Sequence, residues 1–157
     1  MLLLKNVLPR LCVPPRVYSS LYQYGCAMQT ICLIEDDKIT RKLFVLLLER
    51  AGYSVQDFGE GAPALDWIRT HTPDVVLSNI VLPGVIGGIE ILREVRDVLN
   101  IKTLVIALTS FVRRGDREKY LEMGFDGCVA KPIDPQRFAT DFQILLLPST
   151  TPTTTAN

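Results

Sequence analysis

This sequence predicts an α/β protein whose five-stranded parallel sheet carries helices on both faces, and three observations point there. Short apolar, β-branched runs recur at 30–34, 54–58, 74–78, 103–108 and 126–130. Each is followed by a segment whose apolar residues return with helical spacing. Apart from 54–58, the runs are near-continuously apolar rather than alternating, as strands buried on both faces are. Strand–helix alternation of this kind calls for crossover connections, which lay helices over a parallel sheet.

The first strand, Thr30-Ile31-Cys32-Leu33-Ile34, runs into Glu35-Asp36-Asp37. A helix is then expected from Ile39 to Ala51, with Leu43, Leu46 and Leu47 in its apolar stripe and Gly52 as a left-handed cap. The second helix holds Ala64, Leu65 and Ile68, and the third holds Leu92, Val95 and Leu99. Trp67 is expected to pack, and His71, before Pro73, to face solvent. The run Arg113-Arg114-Gly115-Asp116-Arg117-Glu118-Lys119, with charges of both signs, reads as a solvated helix face. The last helix, over 135–146, sets Phe138, Phe142 and Leu145 on one face with Leu146 alongside.

Of the few topologies open to such a chain, the flavodoxin-like doubly wound order 2-1-3-4-5 fits it. All strands then end at one edge, where ligands bind beside the point at which strand order reverses. Glu35, Asp36, Asn79, Thr109 and Lys131 each fall just after a predicted strand and are expected to converge there. Taken singly, each also has a plainer role. Acids complement a helix N-terminus, Thr109-Ser110 suits a helix cap, Asn79 suits a turn, and Lys131-Pro132 suits an exposed bend. Convergence favours a site. Two carboxylates after the first strand can hold a hard cation such as Mg2+.

Glu35-Asp36-Asp37, Asn79 with Leu82-Pro83-Gly84 beyond it, Thr109-Ser110, and Lys131-Pro132, in this order and spacing, resemble the receiver domain of bacterial response regulators. The resemblance covers about residues 29–147 and is strongest to stand-alone, chemotaxis-regulator-like receivers. It implies that Glu35 and Asp36 are a metal-binding pair, that the backbone carbonyl of Val81 completes the metal shell, and that Thr109 is a switch hydroxyl. It further implies that Lys131 is the lysine that neutralises a phosphoryl group. Mg2+ is the implied cofactor. A histidine kinase, a phosphotransfer protein or another signalling protein is the implied partner, met through the fourth helix, fifth strand and fifth helix.

Three departures alter that expectation. Asn79 stands where the family carries its phosphoacceptor aspartate, and an amide cannot form the acyl phosphate. One charge pair at roughly 4 Å is worth about 4 kcal/mol at an effective dielectric near 20, so the missing carboxylate weakens Mg2+ binding. The Asn79 amide oxygen can still accept a hydrogen bond from Lys131, so the fold should survive. Cys128 occupies the position where an aromatic often follows the switch, and the loop Pro83-Gly84-Val85-Ile86-Gly87-Gly88 is one residue longer than usual. The expectation is a protein-binding receiver, not an enzyme, in a two-component phosphorelay and not phosphorylated at Asn79. Two alternatives stand beside it: phosphoryl transfer to Asp36, Asp37 or Ser78, and a cofactor-binding flavodoxin-like domain. The latter lacks a Gly-rich loop after the first strand, where three acids would repel phosphate.

Composition sets outer bounds. A chain of 157 residues, 48% hydrophobic and 22% charged with zero formal net charge, fits one core and points to neither nucleic acid nor membrane. No apolar run approaches the roughly 20 residues that span a bilayer. The four cysteines lack metal spacing and read as reduced thiols, consistent with a cytoplasmic setting. Residues 1–28 carry Lys5, Arg10 and Arg16 without an acid and are expected to be a disordered leader or a mis-called start ending at Met28. Residues 148–157, rich in Thr and Pro, are expected to be a disordered tail.

Overall fold

The computed structural model describes residues 29–110 and 115–146. The expected leader and tail, and Arg113 and Arg114 of the charged run, lie outside the described residues. Five strands, β1 (Thr30–Ile34), β2 (Ser54–Phe58), β3 (Val75–Asn79), β4 (Leu104–Thr109) and β5 (Gly127–Ala130), form one parallel sheet in the order β2-β1-β3-β4-β5. The flavodoxin-like order is therefore observed.

Helices α1 (Lys38–Arg50) and α5 (Phe138–Leu145) cover one face, where Phe44, Leu48, Phe138 and Phe142 pack on Ile31, Leu33, Ile106 and Leu108. On the opposite face α2 (Gly61–His71) and α3 (Gly88–Arg93) bring Ala64, Ile68, Ile91 and Leu92 against Cys32, Ile34, Val76 and Val105. Tyr120 of α4 (Asp116–Glu122) joins this second cluster from its edge. Alternate residues of β1 and β4 thus serve opposite cores, the period of two that a pleated strand imposes.

Three predicted strands start one residue late, for one reason. Asp74, Thr103 and Asp126 use their side chains as caps: Asp74 accepts the Thr30 N–H, Thr103 donates to the Pro73 carbonyl, and Asp126 accepts the Val105 N–H. The shift makes Asn79 and Thr109 the last residues of their strands rather than the first residues after them. β2 is not continuously apolar because it is an edge strand, with Gln56 and Asp57 exposed.

In α1 the expected stripe is rotated. Leu46 is exposed, and the residues that reach the core are Phe44 and Leu48, four apart on one face. The helix begins at Lys38 because the Asp37 side chain caps it, accepting the Thr40 N–H at 2.7 Å. It ends at Arg50, and Gly52 just beyond, with a φ of +95°, supplies the expected left-handed turn. Beyond α3 the chain widens into a π-helical turn, Glu94–Val98, that the periodicity did not foretell. α5 is shorter than expected, since residues 134–137 form a turn around the Asp134 carbonyl before Phe138.

Candidate functional site

The strand ends place the expected residues along one edge, as a parallel sheet must. Glu35 follows β1 directly, Asn79 closes β3, Thr109 closes β4 and Lys131 follows β5. Gly88 permits the close approach of α3 to this edge, because a Cβ there would lie 2.6 Å from the Asn79 carbonyl oxygen. Glu35 is buried, at 1% exposure, and its Oε2 accepts from Lys131 Nζ at 2.7 Å. Its other oxygen accepts the Asp37 N–H at 3.2 Å. A buried carboxylate needs such partners, because its desolvation is recovered only by close pairing.

Asn79 does not receive the hydrogen bond expected from Lys131. Its Nδ2 donates to Asp36 Oδ1 at 2.8 Å, while the ammonium goes to the buried carboxylate. A full charge out of water outcompetes an amide dipole for the cation. The acid also selects the amide orientation, since the reverse one would set two oxygens against each other. Asp36 is exposed, and Asp37 is spent as the helix cap. Hydrogen bonding from Thr40, by side chain and backbone, holds the Asp37 carboxyl below its ordinary value.

A second cation stabilises the acidic loop from below. Arg41 Nη1 donates to the carbonyl oxygens of Glu35 at 2.6 Å and Asp36 at 3.3 Å, and Nε donates to the Asp57 carboxylate at 3.1 Å. The guanidinium ties the ends of β1 and β2 to α1. Sequence reasoning passed over Arg41, although its place in the first turn after three acids was a signal. It passed over Tyr120 as well, whose hydroxyl lies 3.3 Å from that of the buried Thr109. Ser110 is exposed beside it.

Val81, expected to lend its carbonyl to a metal, is 71% exposed two residues past Asn79. A hard divalent ion asks for a ring of oxygen donors. Here the buried carboxylate is paired with Lys131, the exposed one with the Asn79 amide, and the third position offers an amide instead of an acid. Among the described residues no group of three or more His, Cys, Asp or Glu side chains is placed to hold a metal. Both carboxylates are thus engaged within the protein, and Glu35 and Asp36 are the side chains that would hold a divalent ion.

The remaining singled-out residues lie off this edge. Trp67 packs on the second core cluster and stacks on the exposed His71, with ring centroids 4.5 Å apart. Burial pushes the Cys32 thiol up to about 12, and desolvation raises that of Cys128, so neither is a ready thiolate. No helix among the described residues is long and apolar enough to cross a membrane.

Comparison with known proteins agrees with this architecture. The family model for the response regulator receiver domain matches residues 31–143. The polar-differentiation response regulator DivK of Brucella ovis is 35% identical over 111 residues, 70% of this chain and 89% of its own length. Chemotaxis response regulator CheY4 of Vibrio cholerae superposes with a TM-score of 0.69 at 26% identity, covering 76% of this chain and all of that one. The BeF3-activated DrrB receiver domain superposes with a TM-score of 0.65 at 28% identity, covering 76% of this chain and 98% of that one.

Proposed function

The chain belongs to the response regulator receiver domain family, and we propose that it works in two-component signalling as a protein-binding module that is not phosphorylated at Asn79. In this reading Asn79 occupies the phosphoacceptor position, Glu35 and Asp36 the metal-pair positions, Thr109 the switch position and Lys131 the phosphate-neutralising position. The observation that carries it is the Asn79–Asp36 hydrogen bond at 2.8 Å. An amide nitrogen there is no nucleophile, and it engages the acid that would otherwise face a metal. Mg2+ binding is accordingly weak.

Partners would be a histidine kinase, a phosphotransfer protein or another regulator. They would meet α4, β5 and α5, and a groove between β5 and α5 lined by Val129, Pro132, Ile133 and Leu145 offers apolar surface there. Without an acyl phosphate, any switching must come from a ligand with different affinity for two states. Transfer to Ser78 is disfavoured, because its side chain is fully buried and donates to the Asn79 carbonyl.

The test is incubation with a small-molecule phosphodonor and Mg2+, read by intact mass. This protein should stay unmodified and the Asn79→Asp variant should gain an acid-labile adduct. An adduct on the unaltered chain would overturn the reading.

A further inference from the structure

α4 is seated differently from the other helices. None of its residues, Asp116–Glu122, is buried. Tyr120 is the residue of α4 that packs against the second core cluster, which Cys128 also joins from β5. Its ring meets Phe125 edge-on with centroids 6.0 Å apart, and its carbonyl accepts the Phe125 N–H at 3.1 Å. The tip of that same side chain reaches Thr109. Thr109 in turn accepts the Lys131 N–H through its own carbonyl at 2.8 Å.

We propose that Tyr120 is a positioning residue that couples α4 to the site edge, its hydroxyl on Thr109 setting how firmly the helix sits. The separation of 3.3 Å is longer than a strong O–H···O bond, so small displacements of Thr109 make or break it. The proposal rests on the reading of α4 as part of the partner surface, but its test uses the free protein and can fail independently of partner binding or phosphorylation.

The experiment is amide hydrogen exchange on the full chain, comparing residues 119–125 with α1. Tyr120→Phe keeps the ring and deletes the hydroxyl. It should speed exchange in 119–125 about threefold, the low end of what one neutral hydrogen bond yields, and leave α1 unchanged. Thr109→Val should speed it at least as much, Thr109→Ser should keep the parent rate, and Tyr120→Phe should add nothing further in the Thr109→Val background. Unchanged exchange in Tyr120→Phe, additive effects in the double variant, or equal acceleration in α1 would each overturn the coupling.

Discussion

The two sides of the site edge are built to different standards. On the β1–α1 side, Ile31 to Ile34 are fully buried, α1 sends Phe44 and Leu48 into the core, Asp37 caps the helix, and Arg41 holds the loop carbonyls. Phe44 also meets Phe138 of α5 edge-on at 5.2 Å. On the β4–α4 side the strand is equally buried, but its helix is short and buries none of its residues. The acids are therefore held in place, whereas the hydroxyl of Thr109 faces the element that can most readily shift. A helix held by so few buried contacts opens locally at lower cost than one anchored in the core.

Core truncation should widen this contrast most. Phe44→Ala is expected to cost about 4 kcal/mol, while Leu121→Ala, at a half-exposed position on α4, should change stability by no more than about 0.5 kcal/mol. Urea unfolding of both variants decides it, and similar midpoints would erase the difference between the two sides. Next in size is the ion pair that bridges them. Lys131→Met leaves the buried Glu35 carboxylate without its cation and should cost about 3 kcal/mol. A Glu35→Gln/Lys131→Met double variant that is no more stable than Lys131→Met alone would show that the pair is not what holds β5 to β1.

The smallest effect concerns pH. Because the folded-state value of Asp37 is lowered, its contribution is fully present above the ordinary carboxylate range and is lost as pH falls through the lowered value. Asp37→Asn keeps a capping oxygen without a titrating group, so the acid limb of its stability curve should flatten slightly. Curves that superpose would remove Asp37 from the account of the acid loop.

The order of strands and the convergence at one edge were legible in the sequence, because both follow from local periodicity and the handedness of crossovers. Continuous apolar runs marked the buried strands, and Glu35, Thr109 and Lys131 needed only their positions at strand ends to be brought together. The boundaries of β3, β4 and β5 were displaced because Asp74, Thr103 and Asp126 cap through side chains whose partners lie elsewhere in the chain. Leu46 was misplaced for a related reason: α1 turns toward Phe138 of α5, a neighbour that its own periodicity does not reveal.

By itself, then, the sequence determined which residues gather at the edge and that an amide stands among them. Only the tertiary structure decided which donor meets which acceptor. Asn79 and Asp36 are 43 positions apart and Lys131 and Glu35 are 96 apart, so their pairing depends on distances set by the assembled sheet. Burial then settles the competition, since the carboxylate removed from water takes the ammonium and leaves the exposed acid to the amide.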